Sequence, residues 1–305
     1  MRRADLRSLV ALAALSGGWG CSDVVDPAGS AAVPASADVA RPTTPAAPST
    51  IPVASSTTVV AGTTTTTTAT TTPLPSAPVV TADHLSAVPY DVETEIGRSV
   101  QGRPITVLRR GTPGGTKVLA VGAIHGNEDA GVAIIDRLAV EPVPEGVELW
   151  LVRSMNPDGQ AAANRQNAEQ VDLNRNFPER WDVLGEPGDW QYGGPSPASE
   201  PETQAMVSLG DAVRPDLILW YHQDLFRIAP GSGRPGTIRT RYAELAGLPV
   251  VDITGGTYTG TASQWSRAVV EPDGVGITVE LGPTLSDAEI DAHVIAVHTV
   301  AAEFW

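Results

Sequence analysis

Lys117-Val118-Leu119-Ala120-Val121-Gly122-Ala123-Ile124-His125-Gly126-Asn127-Glu128 joins an apolar run to two groups able to hold a metal. The run Lys117 to Ala123 reads as a strand buried on both faces, since it does not alternate with polar residues. His125 and Glu128 follow in a strand-to-helix turn, where a nitrogen and a carboxylate three residues apart can converge on one point. Two later segments repeat the pattern of an apolar run with a reactive group at its end. Leu217 to Tyr221 ends at His222, and Gly276 to Val279 ends at Glu280. Two His and one Glu leave a zinc coordination position open for water, as catalytic sites require. A further free carboxylate can accept the proton of that water.

The remaining elements follow from the same patterning. Strands are expected at Arg103–Arg110, Lys117–Ala123, Val147–Arg153, Asp216–Tyr221 and Gly276–Glu280, and helical spacing runs through Glu128–Ala139, Ser199–Val213, Thr237–Ala246 and Asp287–Phe304. Ser199-Glu200-Pro201-Glu202 reads as a helix start with Ser199 as the cap, and Ser286 with Glu289 as a capping box. Asn156-Pro157-Asp158-Gly159 reads as a tight turn. Strands alternating with helices predict an α/β fold with a mixed, mostly parallel sheet and helices on both faces. In such folds ligands bind beyond the carboxyl ends of the strands, which is where His125, His222 and Glu280 stand.

The first quarter of the chain has a different composition. Arg2, Arg3 and Arg7 precede a short apolar run, Leu9 to Leu15, then small residues and Cys21, so 1–21 reads as a signal peptide. That run is too short to span a membrane, which takes about 20 apolar residues. Cys21 is the only cysteine, which excludes an intramolecular disulfide. Its position resembles a bacterial lipoprotein site and implies lipidation, although Gly18 stands where an aliphatic residue is usual. Residues 22–83 are rich in Ala, Pro, Ser and Thr, with six consecutive threonines at Thr63–Thr68. Such a segment cannot bury a core and reads as a disordered linker between an anchor and the domain at 84–305. The expected location is extracytoplasmic, secreted or membrane-anchored.

Within 84–305 there are 16 of the 20 basic and 30 of the 35 acidic residues, a formal charge of −14. A surface this acidic argues against nucleic acid as a partner. His84, His293 and His298 sit in no motif and read as surface or helix residues.

In order, IGRSVQGRPI, HGNE, NPDG, VDLNRNF, SEPET, His222 and TVEL resemble the zinc carboxypeptidase (funnelin) family across nearly the whole of 84–305. The resemblance implies one zinc on His125, Glu128 and His222, with Glu280 as general base and then proton donor in attack by zinc-bound water. It implies that Arg165 polarises the scissile carbonyl, that Asn174 and Arg175 bind the substrate's terminal carboxylate, and that Asp172 orients the first zinc histidine. Tyr258 stands on the loop where many members carry a mobile catalytic tyrosine. The His222-Gln223 pair, the compact domain and NRQN…VDLNRNFP resemble the murein peptide amidase branch, which cleaves γ-D-glutamyl–meso-diaminopimelate bonds in cell-wall peptides. Gly260-Thr261 and Asp224 depart from that branch near the expected pocket for the released residue, where Asp224 or Asp252 could meet a substrate amino group. The expected substrates are thus cell-wall peptides. The alternatives are extracellular peptides, a small acylated amino acid, or no turnover at all in a wall-binding protein.

Overall fold

The computed structural model describes residues 87–305 apart from 271. The segments read as a signal peptide and a linker, with Cys21 and His84, lie outside the described residues. The described chain forms seven strands and six α-helices: β1 (Glu93–Arg98), β2 (Pro104–Gly111), β3 (Thr116–Val121), α1 (Ala130–Leu138), β4 (Val147–Val152), α2 (Pro157–Ala162), α3 (Pro201–Val213), β5 (Leu217–Gln223), β6 (Arg227–Ile228), α4 (Gly233–Ala246), α5 (Ala262–Val269), β7 (Val275–Leu281) and α6 (Asp287–Phe304), with a 3₁₀ turn at Leu173–Arg175. All seven strands join one sheet in the order β1-β2-β4-β3-β5-β7-β6. The four central strands, β4, β3, β5 and β7, are parallel, and antiparallel pairs flank them on both sides. The sheet is therefore mixed, as the sequence predicts.

Alternation along the strands divides the core. Val118 and Ala120 face α1, α4 and α6, while Leu119 and Val121 face α3 and α5. Both faces are covered, which explains why β3 and β5 carry apolar residues at consecutive positions. On the second face Phe177 packs edge-on against Trp220 at 5.5 Å and tilted against Trp265 at 5.1 Å. Burial of Phe177 contributes about 2 kcal/mol and pins the Val171–Phe177 segment to the sheet.

Several local readings differ from the sequence expectation. Asn156-Pro157-Asp158-Gly159 opens the short helix α2: the Asn156 side chain accepts from the Gly159 N–H, and Pro157 occupies the first turn. Asn at a cap and Pro at the first helical position suit a helix start as well as a turn. Helix α3 is capped by Glu200 in extended conformation, while Ser199 donates to Glu200 Oε1 at 2.6 Å. Helix α1 starts at Ala130, since the Glu128 N–H closes a turn onto the His125 carbonyl at 3.2 Å. Helix α4 starts at Gly233, upstream of Pro235, which falls in the first turn where no N–H partner is required. The capping box of Ser286 and Glu289 is present. His293 is a helix residue of α6 as expected, and it is buried, bonded to the Tyr242 hydroxyl at 2.9 Å. His298 is on the same helix, half-buried.

Candidate active site

The carboxyl ends of β3, β5 and β7 meet on one side of the sheet. His222 and Glu280 are direct neighbours in the β5–β7 pairing, and His125 follows four residues after β3. The turn that carries His125 lies against α2. A Cβ added to Gly126 would lie 1.9 Å from the carbonyl carbon of Gly159, so backbone meets backbone and only glycine fits.

His125, Glu128 and His222 form one cluster whose ligand atoms lie within 4.8 Å of one another. His125 Nδ1 is 2.9 Å from Glu128 Oε1, and His222 Nδ1 is 3.0 Å from Glu128 Oε2. Zinc bound at about 2.0–2.1 Å in tetrahedral geometry separates its ligand atoms by about 3.3 Å. The cluster thus has the donor types and nearly the spacing of a zinc site. His125 Nε2 is 3.0 Å from Asp172 Oδ1. With the Nε2 proton donated to Asp172, loss of the Nδ1 proton leaves a lone pair directed into the cluster, the tautomer a metal requires.

Electrostatics keep the two carboxylates ionised, while His125 must lose a proton before it can hold a metal. Burial works against the charge of Glu128, yet hydrogen bonds from His125 and His222 keep its carboxyl well below the usual range. Burial also works against Asp172, which His125 and Arg165 hold well below the carboxylate range. Burial disfavours a proton on His125, but Asp172 outweighs it and raises the imidazole above its ordinary value.

The other sequence-predicted residues surround this cluster in a cavity of about 670 Å³. Arg165 donates to Glu128 Oε1 at 2.9 Å and grips Asp172 Oδ2 through Nε at 3.2 Å and Nη2 at 2.9 Å. Asn174 Nδ2 is 3.5 Å from His222 Nε2, and its Oδ1 accepts from the Ala262 N–H, the first residue of α5. Arg175 is 3% exposed; Nη1 donates to the Asn174 carbonyl at 2.7 Å, and Nε is buried without a partner. Burial depresses the Arg175 guanidinium, partly offset by Asp172. Glu280 lines the cavity with Oε2 buried and unpartnered, and burial raises its carboxyl against the pull of His222. Tyr258 is half-exposed in the cavity wall, its ring 5.3 Å from the Arg175 guanidinium. Asp224 lines the cavity; Asp252 does not.

Residues 83–223 match the zinc carboxypeptidase family. Over these residues the chain resembles that family. It is similar to murein peptide amidase A of Vibrio campbellii, 29% identical over 215 residues that cover 67% of this chain and 84% of the relative. Its structure is similar to the crystal structure of murein-tripeptide amidase MpaA from Escherichia coli O157, with a TM-score of 0.54 and 27% identity, covering 70% of this chain and 92% of the other. Carboxypeptidase A from Helicoverpa armigera shares the fold at a TM-score of 0.59 and 20% identity, covering 69% of this chain and 67% of the other. These likenesses support a hydrolytic metalloenzyme with zinc as its cofactor, and the His125–Glu128–His222 group fits that metal.

Sequence reasoning assigned no structural task to three features of this chain. Gln223 Oε1 accepts from the Ala130 N–H at the start of α1, while Nε2 donates to the Pro283 carbonyl at 2.9 Å, so this side chain ties β5 to the segment after Glu280. Trp190, 65% exposed, lies with its ring 5.0 Å from the Arg165 guanidinium. Buried Asn167 donates to both Glu200 and Glu202, and Glu202 accepts from the Val100 N–H. Those bonds give the SEPET and NRQN motifs a structural task, tying the segment that carries Arg165 and Asp172 to the start of α3 and to Val100.

Proposed function

We propose that this protein is an extracytoplasmic zinc amidase that cleaves the amide bond next to a residue with a free carboxylate, in cell-wall peptides. The observation that carries the reading is Arg175, a buried arginine with a free Nε in the same cavity as the three-donor cluster and the unpartnered Glu280. A buried, desolvated guanidinium favours a carboxylate partner and rejects a neutral amide. The similarity to murein peptide amidases supports wall peptides as the substrate class.

The residues act as follows. Arg175, with Asn174 beside it, holds the terminal carboxylate and so fixes the scissile carbonyl near Glu128 and the two histidines. Bound zinc supplies Lewis acidity toward that carbonyl and toward water. Arg165, anchored by Asp172, offers a fixed cation to the negative charge that develops on the carbonyl oxygen. Glu280 accepts the proton of the attacking water at Oε2 and passes it to the leaving amine; its raised affinity for a proton suits both tasks. Tyr258, at the wall of the cavity, can cover the bound residue. Residues 1–21 export the chain, Cys21 anchors it through lipid, and 22–83 tether the domain toward the wall.

The test is hydrolysis by zinc-loaded protein of defined muropeptides beside ordinary peptides with free and amidated carboxyl ends. The reading expects cleavage of γ-D-glutamyl–meso-diaminopimelate bonds and loss of rate on amidation. Faster cleavage of ordinary peptides would replace it with a general metallocarboxypeptidase, and equal rates on amidated substrates would remove the clamp.

A further inference from the structure

The segment Asn164-Arg165-Gln166 walls two cavities. Arg165 lines the metal cavity, while Asn164 and Gln166 line a second pocket of about 290 Å³, near the low end for small-molecule sites. The other walls of that pocket are the turn between β1 and β2, through Gln101 and Arg103, and helix α2, through Asp158. Trp190 stands at the rim between the two. It lines the metal cavity, and the carbonyl of its neighbour Asp189 accepts from Gln166 Nε2 at 2.6 Å.

The exposure of Trp190 is built into the loop. Within that loop the Asp189 N–H donates to the Glu186 carbonyl at 2.8 Å, the Tyr192 N–H to the Asp189 carbonyl at 2.9 Å and the Gly193 N–H to the Leu184 carbonyl at 3.0 Å. One face of the indole meets the Arg165 guanidinium, and with the side chain 65% exposed the opposite face is left to water. A large apolar ring with a single N–H suits a contact surface. The second pocket offers no free charge. Arg103 is paired with Asp158, and buried Asp158 also accepts from the Ser99 hydroxyl and the Gln101 N–H, each at 2.8 Å. Arg165 is engaged by Glu128 and Asp172 on the side of the metal cluster. What lines the pocket beyond these is chiefly amide, with Asn164 and Gln170 exposed, and each amide both donates and accepts. Neutral donors and acceptors beside an indole face match a sugar: its hydroxyl and acetamido groups meet the amides, and its ring C–H groups pack on the indole.

We propose that Trp190, Asn164 and Gln170 form a sugar subsite, which binds an N-acetylated amino sugar carried on the acyl side of the scissile amide. Tyr258 stands beside Arg175, which takes the released residue, and Trp190 stands beside Arg165, which meets the carbonyl oxygen. The acyl portion of the substrate therefore leaves the cavity past Arg165 and Trp190, toward the amides of the second pocket. The substrate class is then a wall peptide still joined to its glycan, not a free peptide. The assignment rests on the direction of substrate binding in the proposed function and adds a requirement which that reading does not contain.

The experiment is titration calorimetry on zinc-loaded protein with N-acetylmuramoyl-L-alanyl-D-isoglutamine and with L-alanyl-D-isoglutamine, the same acyl-side peptide without the sugar. One stacked ring and two neutral hydrogen bonds together account for at least about tenfold in affinity, so the sugar-bearing ligand should bind tighter by at least about tenfold. Trp190→Ala should narrow that ratio, and Trp190→Tyr should retain part of it. The double variant Asn164→Ala, Gln170→Ala should narrow it while the sugar-free peptide binds as to the native protein. Equal affinities, no saturable binding of either ligand at millimolar concentration, a preference that survives in both sets of variants, or variants that weaken both ligands equally would overturn the subsite. A preserved preference for the sugar in a protein that hydrolyses no free-carboxylate amide would instead refute the proposed function and leave the subsite standing.

Discussion

Replacement of Arg175 by alanine separates a substrate clamp from a structural arginine. The guanidinium is 3% exposed, is tethered by one Nη1 bond to the Asn174 carbonyl and keeps Nε free beside the metal cluster. A substrate carboxylate can therefore accept two bonds, from Nε and from Nη2, in the geometry Arg offers to a carboxylate. At about 1.5–3 kcal/mol for each bond to a charged group, the pair contributes about 3–6 kcal/mol, or about 10²- to 10⁴-fold in kcat/KM. Part of any loss would come from Asp172, whose charge Arg175 also balances, so a single variant on one substrate does not suffice. The assay is a cycle: native and Arg175→Ala protein, each on one substrate with a free carboxylate and on its amide. The free-carboxylate substrate should lose about 10²- to 10⁴-fold in kcat/KM, the amide less than about tenfold. Arg175→Lys should recover little, since an ammonium lacks the fork. An equal loss on both substrates would show that Arg175 only supports the fold, and the clamp would be refuted.

Asp172→Asn should weaken zinc binding by about 10- to 100-fold, because the amide is a poorer acceptor for the His125 Nε2 proton; competition with a chelator measures this, and unchanged affinity would detach Asp172 from the metal site. Stability should depend on pH through two buried groups of opposite sign. Burial lowers His293 from 6.5 to about 4, so the stability present above pH 6.5 should fall by about 3 kcal/mol as pH drops through 4, and denaturant titration of His293→Gln should show that acid limb reduced. Burial raises Glu202 from 4.5 to about 7, so its contribution is full below pH 4.5 and lost as pH rises through 7; Glu202→Gln should flatten the neutral limb, and an unchanged limb would contradict the assignment. Cys21→Ala should move the protein from the membrane fraction to the soluble fraction, whereas retention would count against a lipid anchor at that residue.

The groups with chemistry at strand ends were legible because an apolar run and a reactive residue each leave a local signal. His125, His222 and Glu280 each close such a run, and pairing of β3, β5 and β7 brings them together. The helix α2 was not legible, since Asn-Pro-Asp-Gly satisfies the needs of a turn and of a capped helix alike. Strand β1 offers few buried side chains to mark it. Helix α5 spans only eight residues, although its Thr261 and Gln264 form a capping box that the sequence does carry. Trp190 lies outside any motif. Its position depends on which loop folds over the site, and no local pattern encodes that.

The central claim is that Glu280 moves the proton during hydrolysis while His125, Glu128 and His222 hold the metal. Glu280→Gln keeps the shape and removes the basic oxygen, and no other group depends on Oε2, which has no partner. Turnover and bound zinc measured on one preparation of this variant test the claim most directly. The account predicts full zinc with a loss of turnover of about 10⁴-fold, the upper end for a general acid–base group, because Glu280 serves both the attacking water and the leaving amine. Full zinc with near-native turnover would contradict it.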